Sequence, residues 1–227
     1  MKHDTSYHKT LKYGLVAFLV SIILELLAYA GFLRTIPNFL PKYAIWILYL
    51  NISIVSISMS ILYMLFNKEK APCMTGMMIG MTIGMQIGMM VGAVFGATNG
   101  YFTGAMVGMI LGSIGGTIAG LTSKSTMAWV QGLMSGIMGG TMGPMISVMM
   151  FTDRINLFMP FYTILNLILL WGFIKMYHEE IIKDNNELVR THIDLVTYTS
   201  ATIIITVLLI AIMIYGPKSP IFAFAGL

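Results

Sequence analysis

The chain holds a single cysteine, Cys73, among 227 residues, which excludes an intrachain disulfide. Charge is equally scarce: only 10% of the residues are Asp, Glu, Lys or Arg, where soluble domains carry about 25%. A chain so poor in charge, 57% hydrophobic and with a mean hydropathy of +0.84, is not a globule built for water. Catalytic signatures are missing too. There is no HExxH, GxSxG, P-loop lysine motif or CxxC, and the central apolar block has no carboxylate pair, so no enzyme is expected. The histidines are confined to the terminal and loop segments, which argues against haem ligation. The GxxxG units make no nucleotide fingerprint, because no strand precedes them and no phosphate reaches their depth.

What the chain does have is length without charge. A helix of about 20 apolar residues crosses roughly 30 Å of hydrocarbon. Seven such windows occur, at about 13–33, 43–66, 74–98, 101–121, 127–150, 157–177 and 195–215. Cytoplasmic loops retain Lys and Arg. With the N-terminus inside, the inner segments hold Lys2, Lys9, Lys12, Lys68, Lys70, Lys124, Lys175, Lys183 and Arg190, and the outer ones hold Arg34, Lys42, Arg154 and Lys218. This asymmetry predicts a cytoplasmic N-terminus and an external C-terminus, in the plasma membrane. The net charge of +4 then reflects topology, and no nucleic-acid partner is implied. A basic start, an apolar run and Ala28-Tyr29-Ala30 also imitate a cleaved signal peptide, although Glu25 inside the run is unusual for one.

Three textures divide the chain. Residues 1–70 hold an N-terminal tail and two spans rich in Leu, Ile and Tyr; residues 71–150 form a Gly/Met-rich block of three spans; residues 151–227 hold two further spans. The polar segment 178–194 between those last two is expected to extend span six as a short amphipathic helix broken near Asn185-Asn186, or to be a solvated connector.

In the middle block every fourth residue is glycine: Gly76, Gly80, Gly84, Gly88, Gly92, Gly96, Gly100, Gly104, Gly108, Gly112, Gly116 and Gly120. The repeat resumes in phase at Gly132, Gly136 and Gly140. A four-residue repeat places a bare strip on one helix face, the means by which helices approach closely in lipid. Such a column drifts by about 40° per step on a helix of 3.6 residues per turn, favouring right-handed crossings. Ala71-Pro72 opens the third span, Asn99-Gly100 makes a tight turn, and Thr122 to Thr126 closes span four and caps span five. The expected architecture is an all-α polytopic membrane bundle of about seven transmembrane helices around a central glycine-zipper three-helix unit.

Methionines fill the gaps. Met77, Met81, Met85 and Met89 each follow a glycine by one residue, so they flank the strip. Met134, Met138 and Met142 follow theirs by two and turn away from it, with Met145 and Met149 extending the series. Thioethers are soft ligands that favour Cu(I), and stacked methionines make a ladder of weak sites. Cys73, one turn before Met77, offers a thiolate at the mouth, near a helix N-terminus that lowers a thiol pKa. The MxxxM and GxxxG patterns here resemble those of eukaryotic-type copper transporters, where they line or pack a pore; the resemblance implies soft-metal passage and covers only a short stretch. Methionine also fills irregular gaps beside glycine without binding anything.

Three further features carry chemistry. Met1-Lys2-His3, with His8 nearby, has the donor set for a square-planar Cu(II) or Ni(II) site. Pro144, after Gly139 and Gly140, is expected to hinge span five, since proline crowds the carbonyl of Gly140 and removes a backbone bond. Broken spans often border a substrate site, and Met138, Met142 and Met145 would line it. Glu25 is an intramembrane acid that must be protonated or paired, a candidate coupling residue, with Gln86, Gln131, Asn51 or Asn166 as partner.

Together these residues point to handling or transport of a soft metal ion, most of all Cu(I), through Cys73, Met77, Met81, Met85, Met89, Met138, Met142 and Met145. The alternative is a non-catalytic accessory subunit of a larger membrane complex, packed through its GxxxG faces. A third reading is a channel or transporter for another small solute, coupled through Glu25. Lipid is a partner in each, with a homo-oligomer or a membrane complex as the assembly.

Overall fold

The computed structural model describes residues 4–31, 39–66, 72–123, 125–151, 153–182 and 194–219. They form seven α-helices: α1 (Asp4–Gly31), α2 (Phe39–Phe66), α3 (Cys73–Asn99), α4 (Tyr101–Gly120), α5 (Thr126–Phe151), α6 (Ile155–Tyr177) and α7 (Leu195–Tyr215). All seven are long and apolar enough to cross a membrane, as the hydropathy pattern predicts. The protein is an integral membrane helix bundle. Its exposed surface is dominated by Leu, Ile, Met and Phe, which in a bilayer is the face that lipid covers.

The three glycine-rich helices form the densest part. α3, α4 and α5 contact one another far more extensively than any other pair. Between α3 and α4 the chain reverses in one residue. Gly100 takes a φ of 103°, a left-handed value that costs a side-chain-bearing residue strain, and its N–H still bonds to the Gly96 carbonyl at 3.2 Å. The glycines beyond that turn face each other in successive layers, Gly96 with Gly104, Gly88 with Gly108, Gly84 with Gly112 and Gly116. A methyl group on Gly84 would lie 2.7 Å from the Gly132 carbonyl oxygen and 3.0 Å from the Gly116 Cα, so main chains occupy the space where side chains would otherwise stand.

Helix α5 completes each layer. Gly132 meets Gly116, Gly136 meets Gly112, and Gly140 meets Gly108 and Met109. At the ends of the stack Ala128 lies against Gly120, and Pro144 against Gly96 and Gly104. α5 is one helix through Pro144, whose buried ring fills the last layer; a methyl group on Gly92 would meet the Pro144 Cδ at 2.9 Å. The Gly140 carbonyl freed by proline lies beside Gly108, where a methyl group would sit 3.1 Å from its oxygen. The residues expected to form a hinge therefore sit inside the tightest packing of the molecule.

α3 is central because its opposite flank is apolar and branched. Ile79, Ile83, Ile87, Val91 and Phe95 each precede a glycine and are buried. They join two cores, one with Trp46, Leu50, Met159, Leu209 and Met213, and one with Ile57, Tyr63, Leu170 and Phe173. α2, α6 and α7 are thereby fastened to the glycine unit, while α1 packs chiefly on α2 and α7. After α6 the chain continues as a π-helical turn, His178–Ile182; the expected break at Asn185-Asn186 lies outside the described residues.

Candidate functional site

Two of the α3 methionines, Met85 and Met89, lie with their main chain at the seam between α3 and α5. Gly139 and Gly143 bring α5 onto the main chain of α3: methyl groups there would lie 2.5 Å from the carbonyl oxygens of Met85 and Met89 respectively. Met138 and Met142 are the residues that precede these glycines on α5. Below them Gln131 of α5 donates its amide N–H to the Met81 sulfur at 3.6 Å. Met85 and Met89 are half-buried, and Met81, Met138, Met142 and Met145 are exposed, with Met138 53% accessible. Their thioethers are soft donors, which favour Cu(I) over hard cations.

At the end of α3 Cys73 is exposed and its sulfur lies 2.9 Å from the Ser125 hydroxyl, just before α5. Pro72 precedes the first turn, and its carbonyl receives the Gly76 N–H at 2.8 Å. Met77 follows one turn later, half-buried. A thiol, a hydroxyl and a thioether therefore stand at one end of the seam, where the two helices begin.

Glu25 is half-buried on α1, and among the candidate partners the structure selects Asn51 of α2. The Asn51 side-chain nitrogen lies 2.7 Å from each carboxyl oxygen. Asn51 is 1% exposed, and its amide oxygen has no hydrogen-bond partner. The other amides serve elsewhere: Gln131 meets Met81, Asn166 donates to the Tyr162 carbonyl at 2.8 Å, and Gln86 is buried on α3. A small cavity of about 10 Å³ lies between α2, α3 and α6, lined by Ser53, Met90, Val94, Met159, Tyr162 and Thr163; that is room for about one water.

Among the described residues no group of three or more His, Cys, Asp or Glu stands ready to hold a metal. His178 is placed against the Tyr63 hydroxyl at 3.0 Å, and Glu180 accepts from Thr75 at 2.9 Å, fastening the π-helical turn to α2 and α3. Met1, Lys2 and His3 lie outside the described residues, as does the side chain of His8. The seating of Gly139 and Gly143 on the main chain of Met85 and Met89 was not read from the sequence. The chain matches no protein-family model, no curated protein and no solved structure.

Proposed function

We propose that this integral membrane protein handles a soft metal ion, Cu(I) in preference to hard cations, along the α3–α5 seam. The observation that carries the reading is the seating of Gly139 and Gly143 of α5 on the main chain of Met85 and Met89 of α3, in successive turns, with Met138 and Met142 the residues preceding those glycines; the reading pairs their thioethers across this seam. Met81 and Met145 extend the row, and Cys73 and Met77 stand at its end as the stronger, thiol-bearing position. Cu(I) accepts few, soft ligands, and a pair of thioethers from rigidly held helices supplies them without an ordering cost. The charge asymmetry between loops supports a plasma-membrane protein with its N-terminus in the cytoplasm, which puts Cys73 at the cytoplasmic mouth. No bond-making chemistry is assigned to the chain.

The test is replacement of Met85, Met89, Met138 and Met142 together by leucine, which roughly conserves volume. The protein is purified in detergent under reducing conditions and its bound Cu(I) or Ag(I) measured directly. The reading expects metal bound by the native protein and lost from the variant. Equal metal content in a folded variant, or no metal in either, defeats it.

A second reading, an accessory subunit of a membrane complex, is favoured by α4. Among the described residues this helix packs on α3 and α5, and Phe102, Met106, Ile110, Ile114 and Ile118 along it are exposed. Co-purification with a fixed set of partner subunits from native membranes supports this reading; a monodisperse single-chain species carrying metal supports the first.

A further inference from the structure

We propose that Glu25 and Asn51 form an intramembrane proton-binding site in which Glu25 carries a proton and closes a two-hydrogen-bond ring with the Asn51 amide. Asn51 is 1% exposed, and its nitrogen supplies both contacts to the carboxyl group while its oxygen has no partner. An ionised carboxylate can only accept, so it can never satisfy that oxygen. A neutral carboxyl group has one O–H to donate. With a modest turn of the Asn51 amide about its own axis, the Glu25 O–H reaches the amide oxygen and the amide N–H reaches the Glu25 carbonyl oxygen. The ring satisfies both groups and leaves no charge in hydrocarbon, where an isolated ion is costly.

Among the described residues no cation is paired with the carboxylate. α1 packs chiefly on α2 and α7. Residues 43–66 of α2 and 195–215 of α7 contain no Lys, Arg, His, Asp or Glu, and their titratable groups are Tyr43, Tyr49, Tyr63, Tyr198 and Tyr215. On α1 the described side chains include Lys12 and Tyr13, more than three turns from Glu25. Lys42, more than two turns before Asn51, lies on α2 with its side chain outside the described residues. The proton comes from the aqueous phase and returns to it when Glu25 ionises; ionisation opens the ring and leaves a single donor to hold the carboxylate. Binding of a proton is in this way tied to the docking of α1 on α2. This site is separate from the methionine seam and stands or falls without it.

Difference infrared spectroscopy of the full chain in lipid vesicles tests the proposal. At neutral pH the aqueous carboxyl groups are ionised, so a protonated-carboxyl carbonyl band that disappears in Glu25→Gln is the band of Glu25. The expected result is that this band is present at neutral pH, fades at high pH, and moves to higher frequency in Asn51→Leu, which deprives it of its hydrogen bonds. Asn51→Ala serves the same purpose should the leucine variant not fold. Glu25→Gln, whose amide can close the same ring, keeps the native thermal stability. Two results overturn the proposal: loss of a carboxylate band in Glu25→Gln at neutral pH, or a protonated band indifferent to replacement of Asn51.

Discussion

Gly139 of α5 lies against the main chain of Met85 of α3, close enough that a methyl group at 139 would sit 2.5 Å from the Met85 carbonyl oxygen and 3.0 Å from its Cα. Gly143 repeats the relationship against Met89 one turn later. Ser135 continues the same strip towards one end, its hydroxyl 3.4 Å from the Gly80 carbonyl, and Ser147 continues it towards the other, beside Gly96. Meanwhile Gly132, Gly136 and Gly140 face α4. α5 therefore carries two small-residue strips, one for each close neighbour.

This partition separates glycines that cannot be replaced from one that can. A methyl group on Gly136 would strike the main chain of α4 at Gly112 and Ser113, which cannot rotate away, whereas one on Gly172 of α6 meets nothing within 4 Å. Overpacking costs about 1–3 kcal/mol, and removing an exposed mid-helix glycine gains about 0.5–1 kcal/mol. Gly136→Ala should lower the thermal unfolding midpoint in detergent or prevent folding, and Gly172→Ala should leave it unchanged or raise it. Equal tolerance at both positions would show that the layers are not close-packed.

The same seam fixes how metal binding should respond to partial replacement. If each site takes one thioether from α3 and one from α5, neither helix suffices alone. Met85 and Met89 replaced by leucine, with α5 intact, should abolish as much Cu(I) or Ag(I) binding as the fourfold replacement. The reciprocal change of Met138 and Met142 should do the same. Retention of half the metal by either double variant would mean that each helix binds separately and the pairing is incidental.

Much of this was legible in the sequence, and the rest was hidden for physical reasons. The period of four and the Asn99-Gly100 pair define α3, α4 and their one-residue reversal, because a helix hairpin is local information. The second strip on α5 was written there too, as Ser135, Gly139, Gly143 and Ser147 in the same period. Beside the longer series, Gly139-Gly140 and Pro144 resemble a hinge instead. Proline inside a helix does lose a backbone bond, but here its ring also fills the layer against Gly92, Gly96 and Gly104. Which amide Glu25 would choose was beyond the sequence. Asn51 is selected by the packing of α1 on α2, and nothing in the spacing of Gln86, Gln131 and Asn166 distinguishes them as losers.

The end of the bundle bearing the α3–α4 turn is closed by the chain that follows α7. The Ser219 N–H donates to the Asn99 carbonyl at 2.9 Å, the Thr103 hydroxyl donates to the Pro217 carbonyl at 2.9 Å, and the Lys218 ammonium donates to the Tyr43 hydroxyl while standing 5.0 Å from the centre of that ring. Residues 216–219 are thus pinned by the Asn99 carbonyl on one side of the reversal and the Thr103 hydroxyl on the other, and by α2 through a cation–π contact that survives loss of the hydroxyl. Removing one such bond costs about 0.5–1.5 kcal/mol, which corresponds to a rise of roughly 2- to 12-fold in the local opening equilibrium. Thr103→Val should accelerate hydrogen exchange of the Ser219 amide by that factor and leave exchange in the α3–α4–α5 layers unchanged. Tyr43→Phe should accelerate it less, because the ring still attracts Lys218. Faster exchange throughout the glycine layers in Thr103→Val would instead make the segment part of the cooperative core, and no change at Ser219 in either variant would show that the Asn99 bond holds it alone.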